Sequence, residues 1–491
     1  MKRNEFIKLG SFAALSLLFS ECDFQSPSQN SSVEIDSLPP LPIAPTPVNN
    51  QYPLQIITKQ DPAYELLRIS YNKRIQKYPH EIIVCQSSED VAQAMRYAKQ
   101  QQKKVTIKSG GHCFEGYCME DDCILLYLSQ MNEIKWIDDD HIQVGPGTRL
   151  IDVYNTIGER GKILPAGSCG SVGIAGLTLG GGYGFFSRKY GLTCDSLQEV
   201  TMVDGQGTIL NSQQDADLLW ACKGGNNGHL GVVTELTFKL HKAPSQFRIW
   251  QFHSADTSPE FVSMFFQKYI SMVQGMNRDA FASFFIRKNF IAIRIFEFGK
   301  TNMPFIDAHL KNIALKKSKG SRESLQRALN RLRGSAKPLY FKNASCGYFN
   351  QWSDIETPLL ASLEALTSKA NVLFQVNSLG GEIQHAEKEK ESAYPHRRFQ
   401  FLSELQTYWN TETEMEAKVA IFQQVQTNFT KGAVLPQYVN YPCDEFEDFN
   451  QAYYGNSLQR LQTLKRKYDP ENRIFAKQAL LKEEEMMRNK V

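Results

Sequence analysis

Two side chains with nucleophilic chemistry sit in glycine-rich loops of this chain, and a third such loop follows. Lys108-Ser109-Gly110-Gly111-His112 comes directly after a strand-like run, Lys104 to Ile107. Paired glycines let consecutive backbone N–H groups turn toward a phosphate with no Cβ in the way. Taken alone, His112 reads as a hydrogen-bonded loop histidine. Leu164-Pro165-Ala166-Gly167-Ser168-Cys169 then leads into Val172, Gly173, Gly176, Gly180, Gly181, Gly182, Tyr183 and Gly184. A loop of that kind suits the wrapping of a large cofactor. The third stretch, Gly224 to Thr234, carries Gly231 and Val233 and again runs from glycine loop into strand. Three such loops point to a dinucleotide enclosed by backbone amides. The spacing is not Gly-x-Gly-x-x-Gly opening a helix, so a Rossmann NAD site fits poorly.

The elements that must hold these loops begin with a βαβ pattern: strand-like Glu81 to Cys85, a helix over Ser88 to Gln100 with a Ser-Ser-Glu-Asp start, then Lys104 to Ile107. Strands at Ile142 to Val144, Glu199 to Val203 and Val232 to Leu240 and a helix at Leu150 to Glu159 continue this part to residue 242. From 243 to 434 the character changes to aromatic strands, Phe281 to Phe285 and Phe290 to Phe298, with a charged helix expected over Lys311 to Arg333, read as a solvated face. This is a second α+β domain. Residues 435–480, with an amphipathic helix over Ala452 to Tyr468, are expected to return to the first domain, and 481–491 form a charged tail.

At 491 residues the chain exceeds what one core usually serves, which suggests one large enzyme of two interleaved domains. Lys and Arg number 55 against 52 Asp and Glu, interspersed, so there is no electrostatic footprint for nucleic acid. A basic start (Lys2, Arg3, Lys8) precedes an apolar run from Leu9 to Phe19 that is too short to span a bilayer, so residues 1–22 read as an export signal. Arg3-Asn4 resembles a twin-arginine signal with Asn4 in place of the second arginine. Cys22 is a candidate lipid-anchor cysteine, with Glu21 an unfavourable residue before the cut. Residues 23–55, rich in Ser, Pro, Asn and Gln, read as a linker. Ten cysteines in an exported chain allow disulfides, and Cys113, Cys118 and Cys123 are close enough in sequence to pair locally; no spacing suits a zinc site.

Collinear from about Tyr78 to Gln478, the sequence resembles the berberine-bridge-enzyme-like flavoproteins of the vanillyl-alcohol-oxidase type. The resemblance rests on Ser109 to His112, Pro165 to Cys169 with its glycine loop, Gly224 to Thr234, Leu379-Gly380-Gly381 with Pro395-His396-Arg397, and Tyr438-Val439-Asn440-Tyr441 with Ala452-Tyr453-Tyr454-Gly455. It implies an α+β protein with a two-part PCMH-type FAD-binding domain (56–242 and 435–480) and an inserted substrate domain whose antiparallel sheet is covered by helices. It further implies FAD bonded through His112 to the flavin 8α-methyl and through Cys169 to carbon 6. Imidazole and thiolate are the side chains nucleophilic enough for such links. Tethering frees the site to open toward a bulky substrate.

The resemblance also assigns roles above the ring. Tyr438 and Tyr441, otherwise ordinary strand aromatics, become candidates for the proton-accepting group, with Asn440 beside the cofactor. A free tyrosine, with a pKa near ~10, would need its value lowered to serve. Phe114 stands where relatives carry tyrosine and removes a pocket hydroxyl that Tyr117 could replace; Gln375 is a further pocket residue. Glu404 occupies a usual glutamine position, either as a base, as in the alkaloid-oxidising branch, or as an ion-pair partner of Arg397 or Arg398. Val172 lies where valine accompanies access of dioxygen to the reduced flavin. The expected reaction is oxidation of a sugar or oligosaccharide hydroxyl to a lactone with release of hydrogen peroxide, by a monomer. Oxidation of a secondary metabolite, use of another acceptor, and a non-catalytic exported binding protein are the alternatives.

Overall fold

Four short apolar runs, nearly all buried, form the first sheet in the order Gln55–Ile57, Glu81–Val84, Ile124–Tyr127, Val105–Lys108. The computed structural model describes residues 54–487 apart from 319, 336, 370–371 and 432–435; the export signal and all but the last two residues of the expected linker lie outside the described residues. Those two, Leu54 and Gln55, are already part of the fold: Leu54 is buried and Gln55 starts a strand. The expected βαβ unit forms, but its strands are not neighbours. Ile124–Tyr127 inserts between them and pairs in parallel with both. The helix Ser88–Gln100 starts with a capping box in which the Ser87 hydroxyl accepts from the Asp90 amide and the Asp90 carboxylate accepts from the Ser87 amide. Its apolar face, Val91, Ala94, Met95 and Ala98, is buried against this sheet.

A second, antiparallel sheet follows in the order Ile134–Trp136, His141–Val144, Val232–Lys239, Leu197–Val203, Ile209–Asn211. The C-terminal segment closes onto the first sheet. The Val105 amide donates to the Arg473 carbonyl at 2.9 Å, and the Phe475 amide to the Val105 carbonyl at 2.8 Å. The helix expected over Ala452 to Tyr468 is interrupted, because Gly455 takes a φ of +44° and separates Phe449–Tyr454 from Leu458–Tyr468.

The third sheet is the largest and wholly antiparallel: Lys316–Lys317, Phe247–Ser254, Phe290–Glu297, Ala280–Arg287, Val372–Ser378, Phe401–Trp409, Tyr340–Phe349, with Ser321–Glu323 also on Phe247–Ser254. Strand side chains alternate between faces. Phe284 packs on Phe266 of the helix Pro259–Gly275, and Phe374 on Phe429 of the helix Met415–Lys431, so helices cover that face. The alternate set, including Ser283, Asn377 and Glu404, looks the other way, toward the first domain. The protein is α+β throughout. The long helix expected over Lys311 to Arg333 is absent: only Leu325–Leu332 is helical, and the preceding stretch makes two short edge strands. Gly320 at their junction has no Cβ to clear the Trp250 ring, which would stand 2.7 Å away. Charge periodicity alone concealed that edge.

Candidate active site

The glycine loops meet because side chains are missing where they cross. A Cβ on Gly110 would stand 2.4 Å from the Gly173 nitrogen, so the two loops touch through bare backbone. Gly111, at a φ of +67°, makes the turn that precedes His112, and its carbonyl accepts from the Tyr71 amide at 3.1 Å. The Ser109 hydroxyl donates to the Pro146 carbonyl at 2.5 Å and pins the turn. His112 and Cys169 are thereby brought from separate loops to one cavity of about 520 Å³. Burial, reinforced by Arg149, lowers His112 to about 3, which keeps the imidazole neutral and one nitrogen lone pair available. Burial raises the Cys169 thiol, against the hydroxyl of Ser171 and the amides of Ser171 and Val172.

Of the residues assigned to the cofactor from sequence, Ser109, Gly110, Gly111, Gly173, Gly176, Tyr183, Gly184, Gly231, Val233 and Asn440 line this cavity, as does Val172. Gly180, Gly181 and Gly182 do not. Their lost Cβ atoms make room for Asn440, Tyr394 and Thr193 respectively, so this part of the glycine run serves packing between segments of the fold. Gly176, on the helix Ile174–Leu179, has no atom within 4 Å of its Cβ position beyond its chain neighbours and its own helix backbone, and faces the cavity directly. That open, glycine-floored space beside His112 and Cys169 fits a large planar cofactor.

The opposite wall is built from side chains of the third sheet. Asn377 is its hub: its amide donates to Glu404 at 3.1 Å and to the Tyr183 hydroxyl at 2.9 Å. Its carbonyl accepts from Ser283 and from Gln375, both at 2.8 Å. Gln406 donates to Gln375 at 3.3 Å, and Tyr408 to Gln406 at 3.3 Å. The Asn343 amide in turn donates to Tyr408 at 3.0 Å. Burial pushes the Glu404 carboxyl up to about 7, with Asn377 and Gln406 pulling against it. Glu404 is no ion-pair partner of the neighbouring arginines: Arg397 binds Asp195 at 2.6 Å, and Arg398 lies over the Phe399 ring.

The tyrosines join this network from the other side. Tyr183 and Tyr441 share a hydrogen bond of 2.6 Å, while the Tyr438 hydroxyl accepts from the Gly182 amide and the Asn440 amide, each at 3.0 Å. Burial raises all three phenols above their ordinary range. Phe114 stacks on Tyr441 with centroids 5.1 Å apart. Tyr117 lines the cavity but does not supply the hydroxyl that Phe114 lacks, since its own donates to Asp444 at 2.7 Å. That bond and the Lys342–Glu445 ion pair at 3.1 Å anchor the loop carrying Tyr441. Cys113, Cys118 and Cys123 are all unpaired, so the local disulfide allowed by their spacing does not form.

Asn377, Ser283, Gln406, Asn343 and Tyr408 were not anticipated from the sequence, and neither was the place of Tyr183 beside Tyr441. A signal existed: Gln375-x-Asn377 and Glu404-x-Gln406-x-Tyr408 put polar groups at every second position of strands that are otherwise buried.

Two family models match the chain, one described as an FAD binding domain over residues 79–213, the other as berberine and berberine like over residues 437–479. The chain is 26% identical over 449 residues to the uncharacterized FAD-linked oxidoreductase YgaK of Bacillus subtilis (strain 168), covering 85% of this chain and 94% of that protein. Physcomitrella patens BBE-like 1 has the same fold, with a TM-score of 0.79 at 23% identity over 88% of this chain and 97% of that one. So does the glucooligosaccharide oxidase of Acremonium strictum, which carries a 6-S-cysteinyl, 8α-N1-histidyl FAD; its TM-score is 0.78 at 21% identity over 87% of this chain and 97% of that one. Among the described residues, no helix is long and apolar enough to cross a membrane.

Proposed function

The chain belongs to the berberine-bridge-enzyme-like FAD-linked oxidoreductases, and from that premise we propose that it oxidises a sugar or oligosaccharide hydroxyl to a lactone, with FAD bonded to both His112 and Cys169. The observation that carries the substrate class is the polar row on the cavity wall. Ser283, Gln375, Asn377, Glu404, Gln406, Asn343 and Tyr408 come from four strands and present amides and hydroxyls to one space. These groups bond largely to one another, but Gln375 and Asn343 each use one of two amide hydrogens there and the buried Asn343 carbonyl has no partner among the described residues, capacity that a polyhydroxylated ligand can take up. The double attachment is supported by His112 and Cys169 lining the same cavity and by the histidyl, cysteinyl FAD of the Acremonium strictum enzyme.

Bound FAD would supply the hydride acceptor, with dioxygen as the proposed final acceptor and hydrogen peroxide as the product. Glu404 takes the hydroxyl proton: at about 7 its carboxyl is partly ionised at neutral pH, as a general base requires. Tyr438, Tyr441 and Tyr183, raised by burial, stay phenols and act as hydrogen-bond donors to the substrate oxygen or to one another. Asn377 orients Glu404 and Tyr183 together. Val172 lines the cavity, and we assign it the approach of dioxygen. The basic, then apolar, N-terminal stretch supports action outside the cytoplasm.

Phe114, Phe341 and Tyr441 make the rim beside this wall aromatic, and that favours as second reading a polycyclic secondary metabolite. One experiment separates the two. The purified protein is presented with a carbohydrate panel and a polycyclic alcohol panel while peroxide and flavin bleaching are followed. Turnover of oligosaccharides is the expected result; bleaching by the polycyclic panel alone would establish the second reading.

A further inference from the structure

His112 and Cys169 stand on separate loops, and one strap of the second domain, described at residues 333–335 and 337–339, reaches across both. At one end the Gly170 amide donates to the Arg333 carbonyl at 2.8 Å; at the other the Leu339 amide donates to the Tyr71 carbonyl at 3.0 Å. Gly334, at a φ of +72°, lets the strap run against the thiol, since a Cβ there would stand 3.6 Å from Cys169 Sγ. Between these ends the Ser335 carbonyl accepts two hydroxyls, Tyr71 at 2.9 Å and Ser171 at 3.2 Å.

Each of those hydroxyls belongs to a side chain that touches one attachment residue; the Ser171 backbone also hydrogen-bonds His112, a contact that a side-chain substitution leaves in place. The Tyr71 ring lies flat on the His112 imidazole, centroids 3.8 Å apart and planes 21° from parallel. Ser171 Oγ is 3.5 Å from Cys169 Sγ. A hydroxyl has one proton. Ser171 commits its proton to Ser335, so it offers Cys169 a lone pair and the thiol S–H donates to it. Once the thiol proton leaves, the same hydroxyl can turn and donate to the thiolate, which a buried sulfur needs in order to persist as an anion.

We propose that Ser171 and Tyr71 are positioning residues for covalent attachment of the cofactor, Ser171 for the bond at Cys169 and Tyr71 for the bond at His112, both keyed to the Ser335 carbonyl of the strap. The inference rests on the double attachment proposed above. Each link forms one bond, N–C at His112 or S–C at Cys169, and breaks one N–H or S–H of the protein and one C–H of the cofactor. The two protons and two electrons released per link go to dioxygen, which leaves as hydrogen peroxide.

The test is peptide mass mapping of acid-denatured protein, which counts flavin on the His112 peptide and on the Cys169 peptide separately. Ser171→Ala should carry at least threefold less flavin on Cys169 with the His112 link at its parental level, and Ser171→Thr, which keeps the hydroxyl, should restore it. Tyr71→Ala should show the mirrored loss at His112. The untouched link in each variant reports that the pocket has folded. A smaller loss, a loss shared equally by both links, or a threonine variant no better than alanine would overturn the proposal. A parent protein with no flavin on Cys169 would instead break the double-attachment reading beneath it, an outcome visible before any variant is made.

Discussion

The two walls of the cavity are built on opposite plans. The cofactor wall is backbone: Gly110 touches Gly173, Gly176 faces open space, and the residues concerned lie in a few continuous stretches of sequence. The facing wall, which we propose meets the substrate, is side chain, contributed by alternate positions of strands whose order in the sheet departs from their order in the chain. A backbone wall has little chemistry of its own beyond donating N–H groups, so it holds. A side-chain wall carries groups whose proton affinity burial can tune, so it reacts. Substitutions on the two walls should therefore fail in different ways.

The largest effect should come from Glu404→Gln. Removing a positioned base costs roughly 10²–10⁴-fold in kcat, and protein-bound flavin should stay at the parental level because the polar partners of Glu404 belong to the sheet. In the parent, kcat/KM should rise with pH through about 7 as the carboxyl ionises, and the variant should lose that limb. A variant that keeps both the rate and the limb would return the proton-accepting role to Tyr438 or Tyr441.

The same residue makes a stability prediction with a definite sign. Glu404 is raised in the fold to about 7 from an ordinary 4.5, so the folded state holds its proton more tightly than the unfolded chain does. Its contribution is intact below pH 4.5 and is lost as pH rises through 7, a change on the order of 3 kcal/mol. Glutamine cannot ionise. The melting temperature of Glu404→Gln should therefore gain on that of the parent between about pH 5 and pH 8, and parallel curves would show that the carboxyl is not buried as charge.

Asn377→Ala should act more mildly and on the same axis. Asn377 donates to Glu404 and so favours its ionised form, and a hydrogen bond to a charged group contributes about 1.5 kcal/mol. Its loss should move the rising limb of the pH profile up by roughly one pH unit. A limb that stays in place would mean that Gln406 alone holds the carboxylate.

This difference between walls also explains what the sequence disclosed. His112, Cys169 and the loops around them were legible because a backbone wall needs glycines at neighbouring positions, and neighbours in space there are neighbours in sequence. The same reasoning overreached at Gly180 to Gly182, since a glycine that makes room for Tyr394 or Thr193 has the same letter as one that faces a cofactor. The Asn377 network was not legible. Ser283, Asn377 and Glu404 stand on three strands, and only the register Ser283 to Asn377 and Gln375 to Glu404 places them together. Elements with strong local codes, such as the capped helix Ser88–Gln100, were read to the residue, while the edge strands at 316–323 hid behind a charge pattern that a helix face would share.

Gly176→Ala is the smallest change and the sharpest probe of the cofactor wall. Alanine in place of glycine inside a helix stabilises it by roughly 0.5–1 kcal/mol, and beyond its chain neighbours and its own helix backbone no atom of the protein lies within 4 Å of the new methyl. Protein produced without flavin should therefore melt slightly higher than the parent. The methyl would instead occupy space at the floor of the cavity, so the flavin-to-protein ratio of the purified variant should fall. A variant that gains stability and keeps its full flavin would show that the helix Ile174–Leu179 stands back from the cofactor, and that the backbone wall is confined to the loops at Gly110 and Gly173.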